Sequence, residues 1–141
     1  MSDNTILIKG NTYSDERGTL CFVNDFDLKP VRRFYTISHP DINIIRAWQG
    51  HKIENKHFFV TKGSFLFGWV KVDNWDNPSG SLNVNRQTLT AHDPRILTIA
   101  AGCANGFKAL EPDSTVIVFS DLTLNESAND MYRFEKETWK L

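Results

Sequence analysis

Residues 64–72, Ser-Phe-Leu-Phe-Gly-Trp-Val-Lys-Val, contain the pattern that decides the fold class. Side chains alternate across a β-strand, so Phe65, Phe67 and Trp69 share one face, while the other face carries Leu and Val side chains. One interpretation is a strand with one face on the core and a half-exposed aromatic patch. We favour a central strand covered on both faces, one of them by a partner subunit.

Similar short β-rich segments recur along the chain, separated by turn signals such as Asp-Glu-Arg-Gly, Lys-Gly and His-Asp-Pro. No helical pattern lies between them, and their spacing is typical of a β-sandwich or barrel. The predicted strands cover residues 5–9, 19–23, 31–37, 43–48, 57–62, 64–72, 81–89, 96–100, 106–110 and 115–120. A helical spacing of apolar residues appears over 129–139, where we expect a short C-terminal helix.

Length and composition set the limits of what this chain is. With 141 residues, it is expected to be one domain, residues 1–141, with a hydrophobic core of its own. Apolar residues make up 40% and charged residues 23%, which is ordinary for a globular protein and excludes a disordered tail. Aromatic residues make up 12%, which favours an all-β core or a stacking pocket.

Several classes of partner and location are disfavoured by the same composition. A net charge of -1 creates no basic field for nucleic acid or anionic lipid. No apolar run approaches the length of a membrane span, and the first residues do not resemble a signal peptide. The two cysteines, Cys21 and Cys103, are too few for a disulfide framework. We therefore expect a soluble cytoplasmic protein with free thiols, and no nucleic-acid or membrane partner.

The densest group of polar side chains lies at residues 46–57, Arg-Ala-Trp-Gln-Gly-His-Lys-Ile-Glu-Asn-Lys-His. Along an extended segment Gln49 and His51 point to one face, with Arg46 on the other face beside Trp48. An amide, an imidazole and an ammonium that converge inside a β-sandwich are costly to bury, and converging titratable groups often mark functional sites. Solvated loop residues are the alternative interpretation for His51 and Lys56.

Four motifs in order resemble a known family of cupins. They are residues 15–20 (DERGTL), 33–37 (RFYTI), 46–56 and 101–107 (AGCANGF). In order and spacing the chain is similar to the dTDP-4-dehydrorhamnose 3,5-epimerases and the dTDP-4-keto-6-deoxyglucose 3,4-ketoisomerases, over residues 15–139. This resemblance implies an antiparallel double-sheet jelly roll of the cupin type, a homodimer, no cofactor and no required metal.

Only some of the catalytic residues of that family are present in this sequence. Relative to the epimerases, Arg46 and Lys56 match, whereas Gln49 and Asn105 stand where histidines are expected, and the strand at 115–120 has no tyrosine. An amide cannot act as a general base, so the epimerase mechanism does not transfer unchanged. The ketoisomerase pattern Arg-Gly-x-His-Ala-His fits better, because His51 keeps its second histidine and Tyr35 lies in the matching strand.

The resemblance implies proton removal beside a 4-keto group of a nucleotide sugar, through an enolate or enediol. His51 is the candidate base, since His39 and His92 lie beside or near prolines in predicted turns and His57 alternates away from Lys56. Lys56 or Arg46 would stabilise the developing negative charge, and Tyr35 would return the proton. Arginines hold a diphosphate well, and the candidates are Arg17, Arg33 and Arg46, with Gln49 and Asn105 as further substrate contacts.

Two other functions remain open at the level of sequence. A metal-dependent cupin needs three or four ligands, and here only His51 and Glu54 are available in the cluster. A non-catalytic relative that binds a nucleotide sugar is the stronger rival, because a shared fold does not determine function.

Overall fold

A computed structural model describes residues 4–141 and shows an almost entirely β architecture. The described residues form one helix, α1 (Leu124–Ala128), and the strands β1 (Ile6–Lys9), β2 (Asn11–Asp15), β3 (Gly18–Phe22), β4 (Arg33–His39), β5 (Ile45–His51), β6 (Lys56–Lys62), β7 (Ser64–Lys71), β8 (Asn85–Thr90), β9 (Arg95–Ile99), β10 (Cys103–Ala109), β11 (Ser114–Ser120) and β12 (Tyr132–Arg133). None of the described helical residues forms a segment long and apolar enough to cross a membrane.

Two five-stranded antiparallel sheets face each other. Sheet I has the strand order β1-β9-β6-β11-β4, and sheet II has the order β12-β5-β10-β7-β8. Apart from β7 and β8, neighbouring strands in each sheet are not consecutive in sequence, as is typical of the antiparallel double-sheet jelly roll. The predicted fold class is therefore confirmed.

The core between the sheets comes from alternating inward-facing residues of both. Sheet I contributes aliphatic residues and Phe58, and sheet II contributes the aromatic residues Phe65, Phe67, Trp69 and Phe107. Phe58 and Phe107 lie with ring centroids 5.8 Å apart, which joins the two sheets at the centre.

The second apolar face of β7 is covered by the chain itself. Val70 and Val72 pack in a separate cluster with Trp48 and Trp139, on the outer side of sheet II. Strand β7 is thus buried on both faces, as predicted, but the C-terminal segment provides the cover that we expected from a partner subunit.

The C-terminal helix does not lie where the apolar spacing predicted it. Helix α1 ends at Ala128, and residues 129–139 form turns and β12. The capping box of Thr123 and Glu126 starts the helix earlier. Phe134 exchanges backbone hydrogen bonds with Trp48, so its apolar spacing reflects packing against sheet II and not a helical stripe.

Strands β2 and β3 form a separate hairpin, and β2 was not predicted. Every residue of β2 before Asp15 is exposed, so its sequence, Asn-Thr-Tyr-Ser-Asp, lacks the apolar alternation by which strands are recognised. Within the described chain the hairpin pairs with neither sheet. Tyr13 and Leu20 lie opposite each other and are 60% and 59% exposed.

Candidate functional site

Strand β5 carries the polar group that the sequence indicated. In the ladder with β10, His51 lies opposite Cys103 and Gln49 lies opposite Asn105. Directly opposed residues share a face, and Cys103 belongs to the core between the sheets. His51, Gln49 and Asn105 therefore all point into the space between the sheets, and the predicted common face of Gln49 and His51 is confirmed.

Arg46 lies on the same inner face, contrary to simple alternation. A bulge in the ladder pairs Arg46 with the inward-facing Phe107, so Ala47 and Trp48 together oppose Gly106. An extra residue in one strand reverses the alternation beyond it. Ala47 and Trp48 then pack outward, and Arg46 joins the side of Gln49.

His51 is buried, 2% exposed, and its ring is held at one nitrogen. Nδ1 lies 2.9 Å from the Asp130 carbonyl oxygen and 3.2 Å from Glu54 Oε1. Both neighbours are acceptors, so Nδ1 carries the proton and Nε2 presents its lone pair. Nε2 has no hydrogen-bond partner among the described residues. Burial and the positive charge of Lys56 lower the pKa of His51, which keeps the ring neutral and basic at neutral pH.

Glu54 lies at the centre of a buried hydrogen-bond network. Its carboxylate accepts hydrogen bonds from the hydroxyls of Ser120 and Ser127, the latter at 2.9 Å. Arg33 Nη2 lies 3.4 Å from Glu54 Oε2 and 3.0 Å from the Ser127 hydroxyl. The network connects β4, β11, α1 and the turn after β5 beside His51.

Asp130 fixes the turn between β5 and β6. Its carboxylate accepts hydrogen bonds from the backbone N–H groups of Lys52, Ile53 and Glu54, at 2.9, 2.9 and 2.8 Å. Because its carbonyl also binds His51, one residue sets both the path of the turn and the orientation of the ring. A second aspartate, Asp121, binds Asn55 in the same turn.

Sheet I brings Tyr35, Arg33 and Lys56 to the opposite wall. Tyr35 lies opposite Val118, an inward-facing core residue, while Arg33 and Lys56 both lie opposite Ser120. The Arg33 guanidinium lies 4.9 Å from the Tyr35 ring centroid, and the Lys56 ammonium lies 6.0 Å from it. His57 faces outward, under Phe26 and bonded to Thr98, as alternation predicted.

A cavity of about 800 Å³ lies between β5 and the C-terminal segment. Arg46 and Gln49 line it together with residues of the C-terminal segment, which include Arg133 and Lys136. Arg133 lies opposite Gln49 in the ladder and so belongs to the inner face. Gln49, which lines the cavity, lies on the same face as His51, two residues further along β5.

The structure thus divides the predicted residues into three places. His51, Lys56 and Asn105 are buried on the inner side with the half-buried Tyr35 and Arg33, and Arg46 and Gln49 line the cavity. Arg17 lies at the tip of the β2–β3 hairpin, where its guanidinium is 2.7 Å from the Asp15 carboxylate. The Arg17 hydrogen bonds lower the pKa of Asp15.

Sequence reasoning missed several residues of this arrangement. Glu54 was considered only as a metal ligand, and Asp130, Ser120 and Arg133 were given no role in the site. Glu54 and Asp130 are polar residues in turn-like segments, so only their burial, 1% and 2% exposed, marks them as part of a site. Across residues 4–141, no three His, Cys, Asp or Glu side chains are grouped so as to hold a metal ion.

His39 is a further difference from the sequence interpretation. It ends β4, and is buried against Phe65 and Phe107, where a turn was predicted beside Pro40. Neither ring nitrogen has a hydrogen-bond partner among the described residues. Burial lowers the pKa of His39, and the nearby Arg46 lowers it further.

Comparison by sequence gives no match to a family model and none to a curated protein. Comparison of structures gives clear matches. The dTDP-4-dehydrorhamnose 3,5-epimerase of Bacillus anthracis, solved with TDP and pyrophosphate bound, has a TM-score of 0.73 at 18% identity, over 91% of this chain and 77% of the epimerase. A TDP-quinovose 3,4-ketoisomerase from Campylobacter jejuni has a TM-score of 0.69 at 21% identity, over 96% of both chains.

A sugar 3,4-ketoisomerase from Thermoanaerobacterium thermosaccharolyticum, solved in complex with TDP, matches with a TM-score of 0.72 at 20% identity. That match covers 98% of this chain and 93% of the ketoisomerase. The structural neighbours are thus the proteins that the sequence motifs resemble. The chain has the jelly-roll fold of the dTDP-sugar 3,5-epimerases and 3,4-ketoisomerases.

Proposed function

We propose that the protein is a nucleotide-sugar isomerase that acts on a dTDP-4-keto-6-deoxyhexose, through an enolate or enediol, in deoxysugar biosynthesis. The observation that carries this proposal is the state of His51. Its Nδ1 is anchored to Asp130 and Glu54, whereas its Nε2 is buried, on the inner face, with no partner among the described residues. That is the arrangement a general base requires.

The remaining roles follow from charge and position. His51 removes a proton from the carbon beside the keto group, and Lys56 stabilises the negative charge that develops on oxygen. Tyr35, on the opposite sheet, is the phenol available to return a proton. A substrate held between β4 and β5 would have acid and base on its two sides.

The diphosphate is proposed to lie in the cavity between β5 and the C-terminal segment. Arg46 and Arg133 line this cavity, and guanidinium groups match phosphate oxygens in geometry and charge. Gln49 and Asn105 would contact the sugar by hydrogen bonds. Arg33 already binds Glu54 and Ser127, so its contribution to diphosphate binding would be shared with that network.

We further propose a cytoplasmic homodimer that needs no cofactor. An isolated two-stranded hairpin is marginally stable, so the exposed apolar pair Tyr13 and Leu20 favours a cover from a second copy. Cys21 is an exposed free thiol, which suits a reducing compartment. Light scattering at micromolar concentration should report twice the 16.2 kDa of the chain; a particle of 16.2 kDa alone would contradict the dimer.

The proposed activity is tested by incubation with dTDP-4-keto-6-deoxyglucose and NMR analysis of the product. A 3-keto product identifies a ketoisomerase, and inversion at C3 or C5 identifies an epimerase. Binding of the sugar nucleotide without any product would refute catalysis and establish the non-catalytic alternative.

A further inference from the structure

Glu54 is a buried carboxylate to which the proposed chemistry gives no part. It is 1% exposed, and an ionised carboxylate is costly to bury unless it is paired and hydrogen-bonded. The protein satisfies it with two hydroxyls and one guanidinium, drawn from three separate elements. Such a network around one carboxylate indicates that its position matters to a neighbouring group.

The neighbouring group is His51. Glu54 Oε1 lies 3.2 Å from His51 Nδ1 and also accepts the Ser127 hydroxyl at 2.9 Å. Oε2 is held by Ser120 and by Arg33. Because both oxygens are held, the carboxylate cannot rotate away from the imidazole.

We propose that Glu54 is the positioning residue for His51, which keeps the proton on Nδ1 and stabilises the imidazolium that forms during catalysis. The inference rests on the proposed function of His51 as a base. Only two residues lie between His51, at the end of β5, and Glu54, in the turn that follows, so the two side chains are brought together locally.

No other charged group that faces His51 can stabilise its imidazolium by direct contact as Glu54 does. The Asp130 carbonyl orients the ring but is neutral, and the Asp130 carboxylate, whose charge also favours the protonated ring, is bound by three backbone N–H groups and does not contact it. Lys56 is positive and opposes protonation of His51. Arg33 faces the far oxygen of Glu54. Glu54 is thus the anion in contact with the ring.

The proton transfer balances without any other reactant. His51 Nε2 accepts the proton from the substrate carbon, and the electron pair of that C–H bond moves into the enediol. The imidazolium then carries protons on both nitrogens, and Glu54 stays ionised beside Nδ1. When Tyr35 gives a proton to carbon it is left as a phenolate, and the Nε2 proton of the imidazolium then restores the phenol, which returns both groups to their starting state.

The first test needs no substrate. In Glu54→Gln the shape is kept and the charge is lost, so the pKa of His51, followed by NMR titration of its ring, should fall below that of the wild type. Glu16→Gln, an exposed change on the hairpin, should leave this pKa unchanged. An unchanged His51 pKa in folded Glu54→Gln would overturn the proposal, whether or not the protein turns over a sugar nucleotide.

The second test uses turnover. Replacing an orienting carboxylate by its amide costs about 10⁴-fold in a serine protease triad, and the Asp130 carbonyl still holds Nδ1 here, so we expect a loss of about 10–100-fold in kcat. KM should stay within about twofold, since Glu54 does not line the cavity. Ser127→Ala removes one hydrogen bond to the carboxylate and should give a smaller loss of kcat. This variant serves as the test if Glu54→Gln does not fold. Wild-type kcat in both variants would refute the role.

Discussion

His51 combines features that an ordinary buried histidine lacks. Its Nδ1 lies between two acceptors, and its Nε2 has no hydrogen-bond partner among the described residues. Burial and the positive charge of Lys56 lower the pKa of the His51 ring. A base of this kind is neutral, and so competent, at a lower pH than a solvated histidine.

Substitution of His51 by Asn gives the most direct prediction at this scale. The amide can still donate to the Asp130 carbonyl but cannot act as a base, so turnover should fall by about 10²–10⁴-fold. Nucleotide affinity, measured by calorimetry with TDP, should change little, because His51 does not line the cavity. His92→Asn is the matched control and should behave as wild type. Wild-type turnover in His51→Asn would end the assignment.

His39 allows a prediction about stability. Its ring is packed against Phe65 and Phe107, and both nitrogens lack a partner among the described residues. A buried unsatisfied polar group costs about 1–3 kcal/mol, so His39→Phe should raise the free energy of unfolding by about 1–2 kcal/mol. Urea denaturation at pH 7.5 measures this change, and a clear destabilisation would contradict the account.

The sequence allowed the placement of single residues on a sheet face better than the prediction of what holds them. The common face of Gln49 and His51 follows from alternation, which depends only on local backbone geometry, whereas Tyr35 was singled out by the family resemblance. Arg46 was placed on the wrong face because a bulge depends on the partner strand. Glu54 and Asp130 were missed because their burial results from elements distant in sequence.

Among the elements, the C-terminal segment after α1 has the largest structural effect. It covers the outer face of sheet II, where Trp139 packs edge-on against Trp48 with ring centroids 5.5 Å apart. The Trp139 indole N–H donates to the Ser79 carbonyl at 2.8 Å, and the Trp48 indole N–H donates to the Trp139 carbonyl at 3.0 Å. Gly50 makes room for this cover, since a Cβ there would lie 3.0 Å from Phe134 and 2.6 Å from the neighbouring Trp75.

Trp139→Ala should therefore destabilise the protein by about 3–5 kcal/mol, as other large-to-small aromatic changes in cores do. Lys140→Ala, next to it and exposed, should change the free energy of unfolding by less than about 0.5 kcal/mol. Equal urea midpoints for the two variants would show that the segment is dispensable to the sheet.

The positions of most strands could be predicted from the sequence, but the segment that covers the outer face of sheet II could not. Residues 64–72 carry apolar side chains on both alternating faces, and this correctly indicated that both faces of β7 are buried. What buries the second face depends on where the chain returns, which no local pattern contains. The same limitation explains why the aromatic spacing of 129–139 was taken for a helix.

For the whole molecule, three buried histidines make stability depend on pH. Burial lowers the pKa of His39, His51 and His57 in the folded state, so the unfolded chain binds more protons just below pH 6.5. Their contribution is therefore complete above about pH 6.5 and is lost as the pH falls through the folded values.

We expect the urea midpoint to decrease between pH 7.5 and pH 5.5, before carboxylates titrate appreciably. His39→Phe should reduce this dependence, whereas His92→Asn should preserve it. A midpoint that is constant or rises over this interval would contradict the burial of these rings.

We propose that the inner face of this jelly roll removes a proton from a keto sugar, with His51 as the base. The most direct measurement is NMR of dTDP-4-keto-6-deoxyglucose incubated with the protein in deuterated water. The account predicts deuterium at C3 or at the carbon that is reprotonated, with wild-type protein and not with His51→Asn. Saturating binding of the sugar nucleotide with no deuterium incorporated at any carbon would contradict it.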